Sequence, residues 1–304
     1  MAKTHAKVII NPAAGANSTY RKWPDLSRLL TSIGLTYDHN YTEGSGHAIE
    51  LAREAASDGY RYLVAVGGDG TVNEVANGIM NTQNAPEVSF GVVSTGTGSD
   101  FARSAGIPMD WENAGSILMS PKRRTIDVGA VTFMKNGQKM ERYFVNAAGI
   151  GFDASAVEAT EKMPKRLGGT IPYMMGLLRT LIGYRNRNVT IDIDGKKESV
   201  KVLSIMVGNG NYLGGGMNVA PEALMDDALF DVTIIGDVGK FNLMKSLPML
   251  YNGTIGSHPK VRFERAASIS VDLKERILVQ ADGELLGEGP VSFRIVPAAL
   301  NIVI

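Results

Sequence analysis

Apolar positions in the first part of the chain follow two alternating patterns. Short unbroken runs, Lys7-Val8-Ile9-Ile10, Tyr62-Leu63-Val64-Ala65-Val66 and Ser89-Phe90-Gly91-Val92-Val93, have the length and β-branched content of buried strands. Leu35 to Tyr41 supplies another. Between them, apolar residues recur at helical spacing. Trp23, Leu26, Leu29, Leu30 and Ile33 mark one helix that stops at Gly34, Gly46 to Ser57 a second, and Val72 to Met80 a third. Strands alternating with helices predict a parallel sheet flanked by helices, a Rossmann-like α/β domain over residues 1–127.

The pattern changes near Asp127. Strand-like segments dominate from there, at 142–148, 189–194, 200–207, 229–235, 261–263, 268–272, 277–281 and 291–296. Asn136-Gly137, Asp194-Gly195 and Asp282-Gly283 are hairpin-turn signals among them. These features predict an antiparallel, β-rich sandwich domain over 128–296. Residues 297–304 form a last strand expected to return to the first domain. The run Ala156 to Asn188 breaks the β pattern. Between Lys162 and Arg187 it holds six Lys/Arg and no Asp/Glu, interleaved with Ile171, Tyr173, Leu177 and Leu181. It suits a helix resting on an anionic membrane or covering a lipid pocket, and equally a core helix with solvated basic residues.

Composition narrows the choices. A 44% apolar and 20% charged chain of 304 residues is ordinary for a globular protein of two domains. Zero formal net charge gives no global field favouring nucleic acid, and no nucleic-acid partner is expected. The absence of Cys excludes disulfides, thiolate catalysis and Cys-ligated zinc, and fits a reducing compartment. His5, His39, His47 and His258 are scattered, which argues against a His-based metal site. The amino terminus lacks a signal-peptide core, and no apolar run approaches the ~20 residues that span a bilayer. The expected location is cytoplasmic, with peripheral contact at the inner membrane face. Oligomeric state is not readable.

The chemistry concentrates at strand ends. Gly67-Gly68-Asp69-Gly70-Thr71 follows a buried run and opens a helix. Its glycines let backbone N–H groups approach a polyanion, and the helix terminus adds partial positive charge. An Asp in such a turn calls for a magnesium ion or a lattice of donors beside it. Two further strand ends carry small polar turns, Asn11-Pro12-Ala13-Ala14-Gly15 and Ser94-Thr95-Gly96-Thr97-Gly98. Parallel sheets bind ligands at the carboxyl ends of their strands. Farther on, Gln280-Ala281-Asp282-Gly283-Glu284 places two carboxylates around a turn, and Pro221 to Asp231 is an acidic loop.

The run Gly67 to Val75, Gly-Gly-Asp-Gly-Thr-Val-Asn-Glu-Val, resembles the bacterial lipid-kinase branch of the diacylglycerol kinase family. Its core is shared with NAD kinases and, more distantly, phosphofructokinases. Gly96 to Arg103 resembles the family's Gly-Thr-Gly-Asn-Asp-Phe-Ala-Arg segment; Asp127-Val128-Gly129 and Tyr143 to Gly151 also match, in order, over nearly the whole chain. The resemblance implies an ATP-dependent kinase that phosphorylates a lipid hydroxyl. It places the nucleotide on Asn11, Pro12, Ala13, Ala14, Gly15, Thr42, Gly67, Gly68, Asp69, Gly70, Thr71, Val72, Asn73 and Thr97. It joins Arg103 to Asp69 and Asp127 in a network and makes Glu284 the general base, with Asp282 orienting it or a magnesium ion. A structural magnesium is implied at Asp227 and the carbonyls of Leu224 and Leu229, and a separate one would arrive with ATP.

Four positions depart from the family pattern. Ala16 stands where a Lys is usual, Ser94 replaces Pro, Ser99 replaces Asn, and Ala228 replaces Gly. Ala16 is the best support for an alternative, a lipid- or nucleotide-binding relative with weak turnover. An NAD kinase would need a Gly-Ser-Thr-Ala-Tyr segment, which is absent. Gly149 to Ala154 loosely fits a dinucleotide turn, but no carboxylate follows over 162–187 to bind a ribose. No Walker motif occurs. Diacylglycerol, phosphatidylglycerol, a sphingoid base and an undecaprenol-like alcohol all remain open as acceptors.

Overall fold

The computed structural model describes residues 5–96, 98–120, 122–162, 175–176, 179–181, 183–273 and 275–304. They form two units, Met1–Val128 with Pro297–Ile304, and Gly129–Val296.

The first unit is a parallel sheet. Strands β1 (His5–Ile10), β2 (Thr36–Tyr41), β3 (Tyr62–Gly67) and β4 (Ser89–Ser94) lie in the order β4-β3-β1-β2, all parallel. Val8, Ile9, Ile10 and Leu63 to Val66 are completely buried, as strands covered on both faces must be. The edge strand β2 is mostly polar and exposed, which keeps the sheet from recruiting another strand there. Asn301 and Ile302, near the chain's end, pair in parallel with Ser89 and Phe90 and extend the sheet beyond β4.

The helices α1 (Ala14–Ser32), α2 (His47–Ser57) and α3 (Asp69–Met80) follow β1, β2 and β3. The expected helix over Trp23–Ile33 is the later part of α1, which buries Thr19, Trp23, Leu26 and Leu30 on one face. Its start is not helical. Gly15, Ala16 and Asn17 are all left-handed, with φ of 59°, 54° and 66°. Glu74 ties α2 to α3. Its carboxylate is buried and accepts from the backbone N–H groups of Gly46 at 2.7 Å and Ala48 at 3.1 Å, at the start of α2.

The second unit is an antiparallel sandwich with helices, matching the expected class. β5 (Arg123–Lys135), which begins in the first unit, pairs with β6 (Gln138–Phe144). β7 (Ala147–Gly151) precedes α6 (Phe152–Glu161), itself preceded in the first unit by the short helices α4 (Asp100–Ala105) and α5 (Trp111–Ser116). Then come β8 (Arg187–Ile193), β9 (Lys196–Val202), β10 (Ser204–Gly208), the short pair β11 (Tyr212–Leu213) and β12 (Met217–Asn218), and β13 (Phe230–Ile235). Helix α7 (Lys240–Tyr251), β14 (Val261–Ala266), β15 (Ser268–Asp272), β16 (Leu278–Ala281) and the long β17 (Glu284–Val303) complete the chain. One sheet runs β14-β13-β10-β7-β16-β17, while β17 also pairs with β15 and β5.

All three Asx-Gly signals are hairpins. Asn136-Gly137, Asp194-Gly195 and Asp282-Gly283 have positive φ at both residues, the backbone that twisted strands require of a two-residue turn. The core between the sheets centres on Phe144, stacked on Phe230 at 5.6 Å and edge-on to Phe293 at 6.3 Å. Gly129 lets the Phe144 ring lie against the chain; a Cβ there would stand 2.1 Å from the ring. A second apolar cluster, including Phe152, Leu181, Leu243 and Leu250, lies under α6 and α7. Helix α7 is not foreshadowed by periodicity, because its apolar residues occur on every side.

Replacing Glu74 with Ala leaves two amide groups at the start of α2 without their acceptor. The expected loss is about 3 kcal/mol of unfolding free energy, read by urea titration. A loss below about 1 kcal/mol would show that water replaces the carboxylate.

Candidate active site

At the carboxyl ends of β1, β3 and β4 the three expected turns pack on one another. Asn11 donates from Nδ2 to Thr71 Oγ1 at 3.0 Å, and its N–H bonds to Val66. Thr95 N–H bonds to Gly67, and Thr95 Oγ1 lies 2.5 Å from Thr19 Oγ1. A Cβ on Gly96 would come within 2.7 Å of the Gly68 Cα, and one on Gly15 within 2.6 Å of the Thr95 carbonyl. Glycine is required at these contacts because backbone meets backbone. Ala13 is right-handed and Gly15, Ala16 and Asn17 are left-handed, and the N–H groups of Ala13, Ala14 and Asn17 bond within this turn, to Asn11 Oδ1, the Asn11 carbonyl and the Ala13 carbonyl.

Several expected residues join this cluster. Asp69 accepts at Oδ1 from Phe101 N–H at 3.2 Å, which fastens the start of α4 to the second turn. Gly70, Thr71, Val72 and Asn73 form the opening of α3, with Val72 N–H bonded to Gly68. Thr42 is buried beside the first turn, its N–H bonded to Ile10. Pro12, Ala13 and Ala14 lie within the first turn, and Tyr20 N–H bonds to the Pro12 carbonyl. Arg103 is on α4 with its side chain exposed. Asp127 is buried on β5 and accepts at Oδ1 from Ala298 N–H at 2.7 Å, which ties it to the returning strand. Thr97 lies outside the described residues. A surface cavity lined by His5, Tyr60, Tyr62, Ser89 and Arg123 opens at the opposite, amino ends of the strands.

The departures from pattern have local explanations. Ser94 and Ser99 are both buried and hydrogen-bonded to each other, Oγ to Oγ at 2.6 Å. Ser99 is left-handed, with φ of 53°, a conformation in which Asn is more at ease. Where the usual Lys is replaced by Ala16, Arg21 donates from Nη1 to the Ala16 carbonyl at 3.3 Å, so a cation stands at that turn.

In the second unit, Asp282 and Glu284 have different surroundings. The Asp282 carboxylate is buried and accepts three backbone N–H bonds, from Val145 at 2.9 Å and from Asn146 and Ala147 at 3.0 Å. It clamps the β6–β7 connection to its own turn. Glu284 is partly exposed and ion-paired with Arg142 at 3.0 Å. Behind the turn runs a chain that sequence reasoning missed. Gly283 N–H bonds to Gln280 Oε1 at 3.1 Å, Gln280 Nε2 donates to Asp153 Oδ2 at 2.9 Å, and Asp153 Oδ1 lies 2.5 Å from Ser204 Oγ. The Ser204 hydroxyl also reaches the Ile150 carbonyl at 3.0 Å. The Ser204 hydroxyl thus faces two acceptors, and desolvation pushes the Asp153 carboxyl above its ordinary range. Gln280 stood inside the expected motif, but its partners are distant in sequence and no local pattern announces them.

The acidic loop holds Asp227, whose Oδ1 accepts from Leu229 N–H at 3.1 Å and whose Oδ2 pairs with Arg265. Leu224 is exposed. Ala228 is left-handed with φ of 62°, so the turn keeps a glycine-like backbone without the glycine. Asp231 Oδ2 is buried with no hydrogen-bond partner, and burial together with the Asp227 and Glu222 charges pushes its carboxyl up. These are hard oxygen donors of the kind magnesium takes, but Arg265 already pairs with Asp227 and stands 3.7 Å from Asp231 Oδ2, which opposes the rise. Among the described residues no three acidic or His side chains gather closely enough to hold a metal by themselves, so backbone carbonyls would have to contribute.

Comparison with known proteins fits this geometry. The family model for the diacylglycerol kinase catalytic domain matches residues 5–131, and that for the YegS C-terminal NAD kinase beta sandwich-like domain matches residues 146–304. The chain belongs to the diacylglycerol kinase family. The diacylglycerol kinase of Bacillus subtilis (strain 168) is 30% identical over 292 residues, covering 95% of this chain and 92% of that protein. The diacylglycerol kinase of Staphylococcus carnosus (strain TM300) is 28% identical over 291 residues, covering 96% and 92%. A crystal structure of a diacylglycerol kinase from Bacillus anthracis str. Sterne shares the fold with a TM-score of 0.74 at 21% identity, covering 100% of this chain and 97% of that one. A second structure from that organism reaches 0.82 at 22%, covering 100% and 96%. As a diacylglycerol kinase-family protein, the chain is a lipid kinase, and a kinase family implies ATP as phosphoryl donor.

Two stability measurements test these local readings. Because the folded pKa of Asp153 is raised, the folded state holds its proton longer than the unfolded state. Native stability is unpenalised below the ordinary value of 3.8 and falls as pH rises through the raised folded value. Asp153→Asn removes this slope, so the variant gains on the wild type as pH is raised from about 4 in urea titrations. A difference independent of pH would mean that Asp153 is not desolvated. Ala228→Gly relieves a left-handed alanine and should add about 1 kcal/mol by the same method, whereas a destabilised variant would mean the turn is relaxed as it stands.

Proposed function

We propose that the protein transfers the γ-phosphoryl group of ATP to a free hydroxyl of diacylglycerol or a related lipid. The packing of three small-residue turns at the carboxyl ends of parallel strands carries this reading, because glycine there lets a chain of phosphates approach the backbone and the start of α3 closely. Asn11 to Gly15, Thr42, Gly67 to Asn73 and Thr97 bind the nucleotide. Arg21 adds the cation that Ala16 does not. Asp69, held by the start of α4, orients the phosphate-binding turn, and Arg103 and Asp127 join it in the network that the family resemblance implies.

Glu284 accepts the proton of the lipid hydroxyl. The freed oxygen bonds to the γ-phosphorus as the bridging bond to ADP breaks. Arg142 holds the Glu284 carboxylate in place, and the Asp282 clamp fixes the turn on which Glu284 stands. Bound with the nucleotide, magnesium supplies charge neutralisation for the phosphates. Asp227 with the Leu224 and Leu229 carbonyls would hold a structural magnesium. Phosphoryl transfer to a membrane lipid also requires peripheral contact with the bilayer.

The test is transfer of labelled γ-phosphate from ATP, with magnesium, to a panel of hydroxyl lipids in mixed micelles, with NAD as a control acceptor. Labelled lipid is expected. Label on NAD alone would replace the reading with an NAD kinase, and no label with ATP still bound would favour a sensor. Glu284→Gln should lower kcat by about 10²–10⁴ while ATP binding persists. Loss of ATP binding instead would remove Glu284 as base. Asp69→Ala should weaken nucleotide binding about tenfold or more, and an unchanged affinity would remove Asp69 from the site.

A further inference from the structure

Helix α7 is apolar on two opposite faces. Leu243, Ser246 and Leu250 point into the second apolar cluster of the sandwich unit and anchor the helix. The other face turns outward and should be polar on a helix that only packs on its own core. It is not. Phe241 is 69% exposed, Met244 51% and Tyr251 42%, with Pro248 exposed among them. At helical spacing these four fall on one stripe. Lys245 flanks the stripe, its Nζ 4.4 Å from the Phe241 ring, and Lys240 flanks the other side.

The cations that flank the stripe along the helix are Lys240 and Lys245, and no Asp or Glu occurs from Val238 to Phe263. Arg262 in that stretch is ion-paired with Glu198 and Glu264. Asp237, just before the helix, is already bonded by Lys201 at 3.1 Å and by Asn186. An apolar stripe bordered by lysines, without carboxylates, is complementary to a surface that is anionic above and hydrocarbon below. We propose that the outward face of α7 docks onto a bilayer rich in anionic lipid, with Phe241 and Met244 entering the headgroup–acyl boundary and the lysines meeting the headgroups. This surface is drawn from residues outside the basic run at 156–188 of the sequence. It stands on the helix alone, so its failure leaves the phosphoryl-transfer reading untouched.

The experiment uses the full chain and sedimentable vesicles, either pure phosphatidylcholine or phosphatidylcholine with about a third phosphatidylglycerol, a composition chosen to impose a negative surface potential. The wild type should pellet with the anionic vesicles and much less with the neutral ones. Phe241→Ser with Met244→Ser should lower the partition about tenfold or more, and so should Lys240→Gln with Lys245→Gln. Both variants should keep the wild-type rate on short-chain diacylglycerol in micelles. Because a surface substitution can still disturb folding, Phe241→Trp gives a second readout. Its emission should move to the blue on anionic vesicles and stay in place on neutral ones. Partition unaffected by both double variants, or a Phe241→Trp spectrum that ignores anionic vesicles, would overturn the proposal. So would concentration-dependent self-association that the Phe241→Ser, Met244→Ser variant abolishes, which would assign the face to a second copy.

Discussion

The candidate nucleotide site depends on peptide backbones approaching more closely than any side chain allows. Gly68 meets Gly96, and Gly15 meets the Thr95 carbonyl, at distances where one methyl group would force the turns apart. These contacts bring the ends of three adjacent strands together. The strands beneath are rigid because they are buried on both faces, so the turns inherit a fixed spacing. Asp69, Asn11 and Thr71 then act as fasteners. Their hydrogen bonds join turn to helix and turn to turn, and none of them could do so if the backbones stood farther apart.

The second unit uses a different device. A two-residue turn with positive φ aims Asp282 back at three amides and leaves Glu284 on the next strand. A register shift between Val279 and Gln280 comes just before it, and such irregularities re-aim nearby side chains. Gln280 supports the same turn from behind through Asp153. The two carboxylates of one short motif thus divide their tasks. One is spent on architecture, and the other is partly exposed and paired with the Arg142 guanidinium.

Much of this was legible in the sequence. Unbroken apolar runs alternating with helical spacing mark the parallel half, strand-like segments mark the antiparallel half, and each Asx-Gly pair is a hairpin. Glycine turns at strand ends are recognisable because their cause is local. What stayed hidden is non-local or lacks a period. Arg142 and Glu284 are 142 residues apart, and Asp153 and Gln280 are 127 apart. Nothing in either neighbourhood announces such pairs. Helix α7 escaped because a segment apolar on both faces has no moment to detect. The start of β5 escaped because Arg123, Arg124 and Thr125 are polar residues at the head of a long strand. The pairing of Ser94 with Ser99 is invisible until the turn between them is folded.

The first unit draws its outermost paired strand from the last residues of the chain, after the whole sandwich has intervened. During synthesis the ribosome therefore releases β1 to β4 long before their final neighbour exists. Until residues 297–304 emerge, β4 presents an open row of peptide groups, the kind of edge that invites pairing with foreign chains. Completion of the sandwich unit delivers the covering strand, and a fragment ending at Val128 would keep that edge open.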